Sequence, residues 1–339
     1  MKPRVIFFGS HWVAISMLEY LKTKGQVELT CIVSQPDRAS GRGGHLKPTA
    51  ISEWATCNSI PLLCPEKLSE EFSHRLCDFG CDLILVMAYG HILREYIINL
   101  PPLGIYNFHA SLLPWYRGSS PVETAIACGE NITGVSLMEI VREMDAGDVL
   151  DVEKVQIAET DFSSDVYRKL SQVCVTIIER NIVDIVHGTA KRTKQDSCKA
   201  TFTRKVAKLD GYLDFNLSPS EIYNRVRGFH EHVGSHVLHS GVPLSVGKIL
   251  PGGNGIAGEK CGKIVNIDRE KITVSAQTGT IFIFELQRPG GKMLKIRDFL
   301  NGYRVNIGDH FALCKSEPIV AMNPFCKVVK GPLIQDICI

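Results

Sequence analysis

Short apolar runs alternate with helical patterns through the first half of the chain. Val5–Gly9 is a compact apolar run that predicts a strand, and Val13, Met17, Leu18 and Leu21 then recur at helical spacing. Val27–Val33 reads as a second strand, ended by Ser34-Gln35-Pro36-Asp37, and a long polar, Gly-rich loop follows to Pro48. Leu83–Ala88, Ile105–His109 and Val135–Met138 read as further buried strands. Asp165–Val186 has the pattern of a long amphipathic helix, closed by His187-Gly188. This alternation predicts a Rossmann-like, mostly parallel α/β sheet over residues 1–189.

Beyond a polar, Lys/Arg-rich connector at 190–208, the period changes from 3.6 to 2. Gly262–Ile267, Ile272–Gln277 and Ile281–Leu286 are short β runs, with turns at Asp268-Arg269-Glu270 and Thr278-Gly279. They predict a meander within a small all-β, OB-like barrel over 209–313. Residues 314–339 hold three Cys and three Pro with little periodicity, and read as an extended tail.

Composition narrows the class. With 45% apolar and 22% charged residues, the 339-residue chain can bury real cores and is not a disordered polyelectrolyte. No apolar run approaches the roughly 20 residues that a membrane helix needs. Lys2 and Arg4 precede an apolar stretch, but His11 and Glu19 interrupt it, so no export signal is read and a cytoplasmic location is expected. The 12 cysteines are scattered without a CxxC pair, which fits free thiols in a reducing compartment. No apolar interface segment is evident, so a monomer is expected.

The net charge of +2 hides an asymmetry: residues 1–189 hold 16 Lys and Arg against 23 Asp and Glu, and 190–339 hold 22 against 13. A basic C-terminal module suits a polyanionic partner, although an ordinary basic surface explains the charge equally well.

Several chemistries drop out. The first strand is followed by Gly9-Ser10-His11-Trp12 rather than a G-x-G-x-x-G turn, which disfavours a nicotinamide enzyme, and no Walker loop or HExxH is present. In an open α/β sheet, ligands bind beyond the carboxyl ends of the strands. There the strand at 105–109 ends in Asn107-Phe108-His109, whose polar residues share one side at i,i+2. Ser111-Leu112-Leu113-Pro114 follows, and Asp145-Ala146-Gly147-Asp148 comes about thirty-five residues later. Singly, each has an ordinary structural explanation: a satisfied histidine, a turn aspartate, a capping asparagine. His230, His232, His236 and His239 match no common zinc spacing, and a β-barrel setting gives them no shared helical face, so no metal is expected.

Together, Asn107-x-His109-x-Ser111-Leu112-Leu113-Pro114 and the later Asp145-x-Gly147-Asp148 resemble the signature of the folate-dependent formyltransferases. Gln35-Pro36-Asp37-Arg38-Ala39-Ser40-Gly41-Arg42-Gly43 resembles the active-site loop of the branch that formylates initiator methionyl-tRNA. Ala88-Tyr89-Gly90 matches that family's folate-pocket segment. Arg204-Lys205-x-x-Lys208, ahead of Leu213-Asp214-Phe215, resembles the opening of its C-terminal domain. The resemblance covers about residues 1–313.

The resemblance implies formyl transfer from 10-formyltetrahydrofolate to the α-amine of initiator methionyl-tRNA, without a metal. Asn107, His109 and Asp145 would be catalytic. Ala88, Tyr89, Gly90, Ser111, Leu112, Leu113 and Pro114 would line the folate site. Arg38, Arg42, Lys205 and Lys208 would contact tRNA. The chain departs from the pattern at Ser10-His11-Trp12-Val13, at Gly43-Gly44-His45, at Trp115 and at Phe229–Gly234. A formyltransferase for nucleotide-linked amino sugars, a formyl-folate hydrolase and an RNA-binding protein on an inactive scaffold are the competing expectations.

Overall fold

The structure is a computed structural model that describes residues 2–40, 45–254 and 259–322. It divides into two compact units. One holds Met1–Pro121, Ile132–Gln156 and Asp165–Phe202; the other holds Val122–Asn131, Ile157–Ser164 and Thr203–Ile339.

The first unit is built on seven strands: β1 (Arg4–Gly9), β2 (Glu28–Val33), β3 (Leu62–Leu63), β4 (Leu83–Met87), β5 (Ile105–His109), β6 (Ile132–Glu139) and β7 (Val149–Gln156). Their order is β7-β6-β5-β4-β1-β2-β3. Strands β3, β2, β1, β4 and β5 are mutually parallel, and β6 and β7 add antiparallel. Val5, Ile6, Phe7 and Phe8 of β1 are all fully buried, as befits a central parallel strand covered on both faces. Each such side chain contributes about 1.5–3 kcal/mol by leaving water. Strand β7 was not legible from apolar pattern because it is a half-exposed edge that carries Asp151, Glu153 and Lys154. Within the expected loop, Arg38–Ser40 and His45–Lys47 form a short antiparallel pair.

Caps fix the helices. α1 (Ile15–Lys24) ends at Gly25, whose φ of 67° is the left-handed stop that glycine adopts without strain. Thr49 and Ser69 cap α2 (Ala50–Cys57) and α3 (Glu70–Cys77) by accepting from the third residue beyond. The predicted long helix runs from Ser163 to His187 as α4.

The C-terminal part of the second unit contains α5 (Pro219–Val233), started by a Ser218–Glu221 capping box with Pro219 at its first turn. Sequence reading missed this helix. It places His230 and His232 in a last helical turn, so the β setting expected for them is corrected; only His236 and His239 lie on a strand. Two four-stranded antiparallel sheets follow. One is β8 (Ser235–His239), β9 (Val242–Val246), β14 (Glu285–Gln287) and β15 (Leu294–Lys295), in that order. The other is β10 (Ile249–Asn254), β13 (Gly279–Ile283), β12 (Ile272–Ser275) and β11 (Ile264–Ile267), which contains the predicted meander. Both face one core that includes Phe215, Leu244, Ile264, Val274, Ile281 and Phe311. Among the described residues, no helix is long and apolar enough to cross a membrane.

Candidate active site

The carboxyl ends of β1, β2, β4 and β5 lie on one edge of the sheet, and their loops are stitched together there. Ser10 N–H donates to the Ala88 carbonyl (3.2 Å), Gln35 N–H to Ser10 Oγ (3.0 Å), and Gln35 Nε2 to the Tyr89 carbonyl (2.6 Å). Gly90 has φ 79°, a left-handed conformation that glycine adopts without strain, and Gln35 Nε2 would lie 2.7 Å from a Cβ placed there. The Tyr89 ring is buried edge-on against Phe8, with centroids 5.2 Å apart, and burial pushes its phenol up to about 12. Its hydroxyl has no hydrogen-bond partner among the described residues.

His109 is the last residue of β5 and is 5% exposed. Ser111 Oγ donates to the Trp115 carbonyl (2.7 Å), so it accepts from His109 Nδ1–H at 2.9 Å. That chain assigns the Nδ1 proton and leaves Nε2 as the nitrogen that can gain or lose one. Nε2 lies 3.2 Å from Asp145 Oδ2, close enough for an ion pair yet out of line for a hydrogen bond. Asn107 sits two residues earlier, on the same face of β5, half-buried. Its side chain makes no hydrogen bond in the structure's described network.

Asp145 reaches this point through a strained loop. Its φ is 50°, a left-handed conformation that costs a non-glycine residue about 1–3 kcal/mol. Gly147 permits the loop's close return, since a Cβ there would lie 2.0 Å from the Glu139 carbonyl oxygen. Gly118 N–H donates to Asp145 Oδ2 at 2.8 Å. Burial by itself would raise the Asp145 carboxyl. The His109 imidazole, the Gly118 N–H and the Arg117 guanidinium outweigh it and hold the acid below the usual carboxylate range.

The other sequence-predicted residues fall into three groups. Ser111, Leu112, Leu113 and Pro114 follow His109 after Ala110 and are buried. Leu113 N–H is fixed by Ser136 Oγ (3.0 Å), which in turn donates to the Ser111 carbonyl (2.7 Å). Ala88, Tyr89 and Gly90 close the neighbouring strand β4 on the same edge. Arg38 is exposed on the short strand after β2, Arg42 lies outside the described residues, and Lys205 and Lys208 are exposed in the second unit. A cavity of 630 Å³ at the ends of β2 and β3, lined by Asp37, Glu53, Cys57, Cys64 and Glu66 among others, contains neither Asn107 nor His109.

Arg117 and Gln195 were not singled out from the sequence. Arg117 is 4% exposed, and burial lowers its guanidinium although Asp145 opposes this. Gln195 carries no motif and lies in the connector, so only its spatial partners reveal it. The four imidazoles considered for metal are each engaged: His230 with Ser235, His232 with Glu123, His236 with the Val233 carbonyl and His239 with Tyr303.

Residues 2–182 match the formyl transferase family, and residues 205–304 match the formyl transferase C-terminal domain. A methionyl-tRNA formyltransferase of Koribacter versatilis is 34% identical over 90% of this chain and 97% of its own length. One from Geobacter sulfurreducens is 33% identical over 90% and 95%. Among solved structures, an N-formyltransferase of Helicobacter canadensis, in complex with folinic acid and dTDP-3-aminofucose, has a TM-score of 0.62 at 20% identity, covering 84% of this chain and 99% of that one. HypX of Aquifex aeolicus, in complex with tetrahydrofolic acid, has a TM-score of 0.60 at 15% identity; the match covers 88% of this chain but 47% of HypX. These structural likenesses agree with the fold, and the sequence matches decide the lineage: this chain belongs to the formyl transferase family.

Proposed function

We propose that this protein transfers the formyl group of 10-formyltetrahydrofolate to the α-amine of initiator methionyl-tRNA, as a monomer in the cytoplasm. The observation that carries the reading is the near full-length similarity to methionyl-tRNA formyltransferases, which spans the C-terminal domain as well as the catalytic one. The amino-sugar alternative has only the low-identity likeness of fold.

The demands on the site are few. The attacking amine must be neutral, and free α-amines titrate near about 7.7–8.0, so one works as a nucleophile at neutral pH. Its lone pair forms the new N–C bond at the formyl carbon, and the carbonyl electrons move onto oxygen. Asn107 donates a hydrogen bond to that oxyanion without a titrating charge, and His109 Nε2–H serves as the second donor. The tetrahedral adduct collapses by breaking the bond to folate N10. The attacking nitrogen, cationic once the new bond has formed, gives up a proton that reaches N10 through His109 Nε2 or water, so charge and atoms balance. Asp145, ionised and braced, holds the imidazole in place. Ser111–Pro114 and Ala88–Gly90 line the folate site, and the basic residues Arg38, Arg42, Lys205 and Lys208 meet tRNA phosphates.

The protein is incubated with 10-formyltetrahydrofolate and, in separate arms, charged initiator tRNA, an amino-sugar nucleotide, or buffer, while folate release is followed. Release with charged tRNA alone supports the reading. Release with the sugar nucleotide, or without acceptor, replaces it by the corresponding rival.

A further inference from the structure

Residues 191–199 are exposed except at one position, Gln195, which is half-buried. The connector reaches the first unit here, where Thr193 pairs with Val149 of β7 through two backbone hydrogen bonds of 2.8 Å. Gln195 Nε2 donates to two carbonyls of the strained catalytic loop, Asp145 O at 2.9 Å and Gly147 O at 2.7 Å. Its Oε1 accepts from Arg117 Nε (3.1 Å) and Nη2 (2.7 Å). The next residue after Arg117, Gly118, donates its N–H to the Asp145 carboxylate. A closed circuit therefore runs from the acid through Gly118, Arg117 and Gln195 back to the acid's own carbonyl.

The chemistry fixes which way the amide points. A flipped Gln195 would set its NH₂ against a guanidinium and its oxygen against two carbonyls, losing every bond. Gln195 thus spans a cation and a pair of acceptors, a task that only a neutral amide of this length performs. We infer that Gln195 is a positioning residue: it holds the Asp145–Gly147 backbone so that the Asp145 carboxylate stays on His109 Nε2. The inference rests on the proposed formyl transfer, because its readout is that reaction.

The discriminating variant is Gln195→Glu. A carboxylate keeps, and strengthens, the Arg117 contact, but it offers no donor to the two carbonyls. If Gln195 were merely structural, acting through Arg117, Gln195→Glu would retain both stability and rate. A positioning role predicts a Tm near wild type with kcat down about 10–100-fold and KM for the folate within about 2-fold, because a displacement on the order of 1 Å has that cost. Gln195→Leu, which fills similar space without polar atoms, is expected to lose kcat at least as far, and it keeps the test open should the Glu variant fold poorly. In either variant the acid limb of kcat moves to higher pH, since Asp145 would lose alignment with His109 and with the Gly118 N–H; Arg117 is the other charged group acting on it. A folded Gln195→Glu enzyme with wild-type kcat and an unmoved acid limb overturns the inference. Wild-type protein that transfers no formyl group instead overturns the proposed function, so the two failures are distinguishable.

Discussion

Asp145 in the first unit and Asp210 in the second are both held below the ordinary carboxylate range, by different means. Burial works against both. Asp210 answers it with a bidentate pair from Arg204 at 2.7 Å through each oxygen, a further contact from Arg225 at 3.4 Å and the Ala207 N–H at 2.8 Å. Every side of that carboxylate is occupied. Asp145 has one well-made hydrogen bond, from Gly118, and a His109 nitrogen at 3.2 Å that is out of line. Its backbone is left-handed, whereas Asp210 lies in a short helical turn, with its N–H donating to the Ala207 carbonyl at 2.9 Å. A saturated buried acid fixes the fold, whereas an acid with spare bonding capacity beside an incompletely engaged imidazole has something left to do during a reaction.

The contrast is broken or sharpened most strongly by removing each acid in turn. Asp210→Ala leaves Arg204 and Arg225 without their buried counter-charge and is expected to cost about 3–5 kcal/mol of stability in a denaturant titration, with kcat per folded molecule almost unchanged. Asp145→Ala and Asn107→Ala are expected to reverse that pattern. Each should lower kcat by about 10²–10³, about 2.7–4 kcal/mol of transition-state stabilisation, with KM and the denaturation midpoint little altered. An Asp145→Ala enzyme with a near-normal single-turnover rate would erase the distinction.

A smaller effect comes from His232, whose Nε2 lies 2.5 Å from the buried Glu123 carboxylate. That hydrogen bond is the main influence and raises the imidazole despite partial burial. The pair's stabilisation is therefore complete below about pH 6.5, the unfolded value, and is lost as pH rises through the higher folded value. The imidazole is half-exposed, so the term is at most about 1 kcal/mol. Tm should fall between pH 6 and pH 9 in wild type, and Glu123→Gln should flatten that slope. The smallest expected change is at Lys205 and Lys208. Lys205→Ala or Lys208→Ala should weaken tRNA binding a few-fold and reduce the salt slope by about 1 each, with kcat at saturating tRNA preserved. Salt-independent binding in wild type would remove the basis for those contacts.

Much of the first unit was legible because its physics is local. A central parallel strand must be continuously apolar, so β1, β4 and β5 were visible as runs, and period-2 geometry put Asn107 and His109 on one face before any coordinates. Strand β7 was hidden by its exposed edge, and α5 by the shift to short-strand patterning around it. Arg204 illustrates the same limit at a single residue. It reads as one more cation beside Lys205 and Lys208, but its guanidinium is spent on Asp210 and the Pro318 carbonyl.

The chain by itself determined the central strands of the first unit, the change to short antiparallel strands in the second and the placing of Asn107 and His109 on one face of β5, since each follows from residue type and period within one segment. Only the tertiary structure decided that Asp145 adopts a left-handed backbone and that a glutamine fifty residues beyond it, bound to an arginine seventy-eight residues before that glutamine, closes the circuit around it. The physical reason is that long loops carry only a weak, slowly growing entropic cost, so partners this far apart leave no periodic trace in the sequence and are selected solely by where the fold brings them.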